Sequence, residues 1–105
     1  MSKSDLSALQ RNAGVAVSML RALANERRLM ILCKLVEWGE GNVNALAETV
    51  GLSQSALSQH LAKMREEGLV TYRRDSQTLW YRIADQRIED LLATLHKLYC
   101  KPKRR

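Results

Sequence analysis

Residues 46–69 read LAETVGLSQSALSQHLAKMREEGL, two short helical segments joined at Gly51. Val43, Leu46, Ala47 and Val50 recur at helical spacing, which predicts a helix over about 43–50 with those residues inward. Gly51 suits the left-handed conformation at a helix end. Ser53 caps the next helix, which runs to Glu67 before Gly68 stops it. Ala56, Leu57, Leu61 and Met64 face the core, leaving Gln54, Ser55, Ser58, Gln59 and Lys63 outward. Short polar residues on an outward face suit a helix that enters the major groove without collision. The pattern is that of a helix-turn-helix, and it implies duplex DNA as the partner.

The rest of the composition agrees with that partner. The chain has 105 residues with 17 Lys+Arg against 11 Asp+Glu, a formal net charge of +6, and such an excess favours polyanions. At this length one domain is expected, spanning residues 1–100, followed by a flexible basic tail at 101–105, KPKRR. With 46% hydrophobic and 27% charged residues the chain is globular rather than disordered. A core this small makes dimerisation a natural way to cover more apolar surface. No apolar run reaches membrane-spanning length, and MSKSDLSALQ lacks the apolar centre of a signal peptide, so a cytoplasmic location is expected.

Upstream, a first helix is expected from about Ser4 to Leu23, where Leu6, Leu9, Ala13, Ala16, Val17 and Leu20 make one apolar stripe. Asn25 reads as the N-cap of a second helix, Glu26 to about Trp38, with Leu29, Leu32, Cys33 and Val36 on one face. Downstream, LVTYRR and TLWYRI are β-rich runs separated by Asp75-Ser76-Gln77, which predicts a hairpin. Trp80 and Tyr81 are expected to pack that hairpin on one face. A last helix, about Asp85 to Tyr99, carries Ile88, Leu91, Leu92, Leu95 and Tyr99 at helical spacing. Four helices, two strands and a fifth helix in that order make a mainly α chain with a small β-hairpin, a winged helix-turn-helix.

The expected DNA-binding residues are Gln54, Ser55, Ser58, Gln59, His60 and Lys63 on the reading helix. His60 neighbours Leu61 and so lies at a partly buried angle. Arg73 and Arg74, with Arg82, surround the hairpin tip within reach of phosphates or the minor groove. A polar helix face is often only solvated surface; the preceding helix, the Gly51 turn and the basic hairpin favour the reading role here. Two-fold dimers of such modules read half-sites about one helical turn, ~34 Å, apart, so a palindromic operator is expected. No catalytic constellation appears: Ser53, Ser55 and Ser58 lack a base-plus-carboxylate partner, so no enzyme is expected.

Cys33 and Cys100 leave alternatives open: packing residues, metal ligands or redox-active thiols. In a reducing compartment a permanent structural disulfide is not expected. His96 with the two cysteines is a poor match to zinc-site spacing, and Met19, Met30 and Met64 read most simply as core filler.

ALANERRLMILCKL and LAETVGLSQSALSQHLAKMREEGLV, with the order of elements, resemble the ArsR/SmtB family of bacterial winged-helix repressors over nearly the whole chain. The resemblance implies a homodimer formed through the first and last helices, released from DNA by an inducer. Many members of that family sense metals. At the positions matching one familiar metal site, a CxC pair, this chain has Asn42 and Asn44; at a second, Asp85 is followed by Gln86 and Arg87, and His96 stands alone. Neither site is expected to bind metal, and no cofactor is expected.

ILCKL and LHKLYC are similar to the persulfide-responsive BigR, SqrR and HlyU-like subgroup. That similarity implies Cys33 and Cys100 as the redox sensor. Joined by a disulfide or a polysulfide bridge after reaction with a persulfide or an oxidant, they would lower DNA affinity and derepress sulfide-detoxification genes. Cys100, followed by Lys101, Lys103, Arg104 and Arg105, is expected to attack first, because positive charge favours a thiolate, although the helix C-terminus opposes it. Cys33 then resolves the intermediate. The alternatives are an anti-silencing activator with redox-tuned cysteines and, behind it, a metal-sensing repressor.

Overall fold

The computed structural model describes residues 3–100, so the 101–105 tail lies outside the described residues. Six helices and one hairpin occur among them: α1 (Lys3–Arg11), α2 (Ala13–Leu23), α3 (Glu26–Trp38), α4 (Val43–Val50), α5 (Gln54–Glu66), β1 (Val70–Asp75), β2 (Thr78–Ile83) and α6 (Gln86–Tyr99). The architecture is the expected winged helix, with one helix more than expected because the first one divides. Asn12 takes φ −105° and ψ 9°, outside the helical well. Its side-chain amide donates to the Ala8 carbonyl at 3.0 Å, the local bonding by which asparagine competes with a continuing helix. Gly14, two residues on, adds a poor helix former.

The remaining helix ends follow their local chemistry. The Asn25 side chain accepts from the Arg28 backbone N–H at 3.1 Å, and Asn42 accepts from that of Ala45 at 2.8 Å. Asn42, one of the two positions matching the CxC pair, is therefore the cap of α4. Ser53 accepts from Ala56 at 3.1 Å and starts α5, while Gly51 at φ 72° makes the turn between α4 and α5. Asp85 caps α6 through the Arg87 N–H.

The core gathers Ile31, Leu32 and Leu35 from α3, Leu46 from α4, and Leu57, Leu61 and Met64 from α5; Ile88 and Leu92 of α6 close it. Each of these is almost fully withdrawn from water, so the inward face of α5 is anchored along its whole length. Met64 is buried and Met19 partly so, but Met30 is 45% exposed and is not core filler.

The hairpin turns through two residues, Ser76 and Gln77, rather than three, with Asp75 paired to Thr78. Its faces alternate. Val70, Tyr72, Ile83, Tyr81 and Leu79 turn toward the core, whereas Arg73 and Trp80 are a facing pair on the other side. Trp80 and Tyr81 thus lie on opposite faces, not on one, because successive strand side chains point opposite ways. Tyr81 also exchanges both backbone hydrogen bonds with Gly41, at 2.9 and 2.8 Å, which fastens the wing to the α3–α4 loop. The fit is close: a Cβ on residue 41 would meet Trp38, Leu46 and Leu35 side-chain carbons at 3.1–3.3 Å, so those side chains would have to give by a few tenths of an ångström.

The apolar stripe on the first two helices is largely unburied. Leu6, Leu9, Val17 and Leu20 are exposed, as are Leu98 and Tyr99 at the end of α6. No helix among the described residues is long and apolar enough to cross a membrane.

Candidate functional site

The outer face of α5 presents Gln54, Ser55, Ser58, Gln59 and Lys63 to solvent, with His60 half-buried beside them. None of these side chains is engaged in a hydrogen bond or ion pair among the described residues, so their donors and acceptors are free to meet another molecule. The two arginines of the wing differ. Arg74 is exposed and makes no ion pair among the described residues. Arg73 donates twice to Glu40, from Nε and Nη2 at 2.8 and 2.9 Å, with its guanidinium 5.8 Å from the Trp80 ring. It ties the wing to the loop after α3. Arg65, which the sequence did not single out, stacks its guanidinium 4.4 Å from the Tyr72 ring between α5 and the wing.

The tether has a pH signature. Hydrogen bonding from Arg73 holds the Glu40 carboxyl below its usual range; desolvation opposes this, and the Arg73 and Arg82 charges reinforce it. A lowered carboxyl contributes above its ordinary value and is lost as pH falls through the lowered one. Trp80 emission is therefore expected to change below about pH 4. Glu40→Gln should abolish that change, and an identical titration in the variant would refute the tether.

The two cysteines, at residue 33 in the middle of α3 and residue 100 capping α6, line the same groove. It has a volume of about 480 Å³ and is shared with Met30, Lys34, Val36, Glu37, Leu92, Ala93 and His96. Both thiols are free; Cys33 is half-buried and Cys100 exposed. Burial pushes the Cys33 thiol above its ordinary value, the neighbouring Cys100 adds to the rise, and Lys34 pulls the other way. Lys34 is held by Glu37 at 2.9 Å. Chemically, the groove offers an accessible thiol to a reactant and a sheltered one behind it. Of the other lining residues, the sequence singled out His96 only as a poor zinc ligand and Met30, Val36 and Leu92 only as packing, and it gave Lys34, Glu37 and Ala93 no role. Their spacing did carry a signal: Met30, Cys33, Lys34 and Glu37 follow the i, i+3, i+4, i+7 rule, as His96 and Cys100 follow i, i+4.

Among the described residues, no group of three or more His, Cys, Asp or Glu is arranged to hold a metal ion. A second concavity, between α2 and the ends of α5 and α6, is lined by two ion pairs. Arg28 bonds Glu67 at 2.9 Å, and Arg87 bonds Asp85 at 2.8 Å.

Residues 25–72 match the family described as bacterial regulatory protein, arsR family. The transcriptional activator HlyU of Vibrio cholerae is 44% identical over 97 residues, covering 92% of this chain and 89% of HlyU. The structure of reduced HlyU from Vibrio cholerae superposes with a TM-score of 0.82 at 45% identity, covering 90% of this chain and 98% of that one. The transcriptional repressor BigR from Xylella fastidiosa gives 0.83 at 32% identity, over 97% of this chain and all of BigR (100%). With a free polar face on a helix-turn-helix and this likeness over nearly its full length, the chain belongs to the arsR family of bacterial regulatory proteins and is a transcriptional regulator, not an enzyme.

Proposed function

We propose that the protein is a cytoplasmic, homodimeric repressor that binds a palindromic operator and is released when a persulfide or oxidant links Cys33 to Cys100. The observation that carries this reading is the shared groove: two thiols from distant parts of the chain, one exposed and one sheltered, face the same space. An exposed thiol meets the reactant first, and the sheltered one resolves the adduct into a disulfide or polysulfide bridge. The exposed apolar residues of α1, α2 and the end of α6 support a dimer formed through the first and last helices. The bridge would join α3 to α6, and α3 packs directly on α4 of the reading motif. By resemblance, the regulated genes serve sulfide detoxification.

The reading surface comprises Gln54, Ser55, Ser58, Gln59, His60 and Lys63, with Arg74 reaching phosphate and Arg73 positioning the wing. Gln59→Ala is expected to weaken operator binding by about 1–3 kcal/mol and relax preference at one base pair. Arg74→Ala should weaken binding to all sequences alike and lower the slope of log affinity against log salt by about 1. Uniform weakening in Gln59→Ala would remove it from base reading.

Operator titration before and after treatment with an organic persulfide tests the sensing. Affinity should fall in the wild type and stay unchanged in Cys33→Ser and Cys100→Ser. Equal affinity in treated and untreated wild type contradicts the proposal. A second reading, an activator that displaces a silencer with the same thiols tuning it, is favoured by the description of HlyU as a transcriptional activator. Reporter output after deletion of the gene separates the two, rising for a repressor and falling for an activator.

A further inference from the structure

The groove that holds the thiols is far larger than a sulfur atom requires. At about 480 Å³ it falls within the range of small-molecule sites, roughly 300–1,000 Å³. Met30, Val36, Leu92 and Ala93 give it an apolar wall. Its two charges, Lys34 and Glu37, pair with each other at 2.9 Å, so the groove presents no unpaired charge among the described residues. Among the described residues, His96 is the remaining polar side chain beside the thiols. Met30 is 45% exposed yet lines this wall, an exposure without use in a core and suited to receiving a guest.

We propose that the groove selects, among sulfane-sulfur donors, small organic persulfides with an uncharged apolar tail, seated against Met30, Leu92 and Ala93. The inference rests on the persulfide-sensing reading above. The Cys100 thiolate attacks the outer sulfur of R–S–SH, the S–S bond breaks, and RS⁻ leaves and takes up the Cys100 proton as RSH. Cys100 is then a persulfide. The Cys33 sulfur attacks the inner sulfur of that persulfide, and the departing HS⁻ takes the Cys33 proton. The sum is two protein thiols plus RSSH giving the disulfide, RSH and H2S: the thiols are oxidised and one sulfane sulfur is reduced to sulfide.

The test is the second-order rate of Cys33–Cys100 linkage, followed by quenched intact mass. The donors are ethyl, propyl and butyl persulfide, glutathione persulfide and inorganic hydropersulfide. Each added methylene should raise the rate about two- to fourfold, the range for partial to full burial of one methylene. Glutathione persulfide, bearing charged groups the wall cannot pair, should lag butyl persulfide by about tenfold or more. Met30→Gln, at an exposed position, should flatten the alkyl series and leave the inorganic donor's rate unchanged. A flat series in the wild type, or glutathione persulfide matching butyl persulfide, overturns the selectivity while leaving sensing intact. Failure of every donor to link the cysteines overturns both.

Discussion

Truncating Leu61 to alanine is expected to cost about 2–5 kcal/mol of folding stability and to remove operator binding with it. Leu61 is fully buried and lies between Leu57 and Met64, also fully buried, on the inward side of α5. The opposite side of the same helix carries Ser58, Gln59 and Lys63, all exposed. Core and proposed reading surface are therefore two faces of one helix, and a cavity beneath it loosens the residues above it. Domains of this size have only about 5–15 kcal/mol to lose, so the variant should melt well below the wild type by calorimetry. A loss of under 1 kcal/mol would show that α5 is not anchored as described. Ser58→Ala, which removes only an exposed hydroxyl, should leave stability within about 0.5 kcal/mol.

The second large effect is expected at Arg28. Its Nη1 bonds Glu67 Oε1 at 2.9 Å and the Ala22 carbonyl at 3.3 Å, and its side chain is only 12% exposed. Ala22 belongs to the last turn of α2, Arg28 to the first turns of α3, and Glu67 closes α5. One guanidinium thus joins three helices, including the helix of Cys33 and the helix proposed to read DNA. Arg28→Ala should cost about 1–3 kcal/mol, because it strips the donor from a carbonyl and a carboxylate at once. Arg28→Lys should recover less than half of that, since an ammonium cannot reproduce the fork. Thermal melts of the two variants check the order. Full recovery by lysine would mean that charge alone matters at this position. Arg28 joins the helix of Cys33 to the end of α5, so under the proposed sensing Arg28→Ala should also reduce the loss of operator affinity on persulfide treatment.

These two positions also show what the sequence makes legible. The reading helix is written locally: Gly51 and Ser53 before it, Gly68 after it, and a 3.6-residue rhythm between them identify both its ends and its faces. Arg28 and Glu67 lie 39 residues apart, and Arg73 and Glu40 lie 33 apart; no local pattern links either pair. Arg73 therefore reads from sequence as one more arginine of the wing, whereas in the fold Glu40 holds it. The division at Asn12 escapes for a different reason. The Leu6–Leu20 stripe keeps its helical spacing across the break, and the preferences of Asn and Gly against helix are small beside so long a pattern. The opposed faces of Trp80 and Tyr81 were legible, since a strand alternates strictly.

Cys33 and Cys100 fall between these cases. Their flanking residues mark them as a pair by resemblance, and only the packing of α3 on α6 brings them to one groove. The sequence placed emphasis on the basic residues after Cys100, which lie outside the described residues. Within them the distinction between the thiols comes from burial instead: Cys33 is sheltered and harder to ionise, and Cys100 is open.

Thiol-controlled release from DNA is tested by measuring the intact mass and the operator affinity of one sample after organic persulfide treatment. Loss of two hydrogens is expected for a disulfide, or that loss with whole added sulfur atoms for a polysulfide bridge. Peptide mapping should place the bridge between Cys33 and Cys100, and operator affinity should fall in proportion to the bridged fraction. A bridged protein that binds its operator as tightly as the reduced one, or a fall in affinity with both thiols still free, would contradict it.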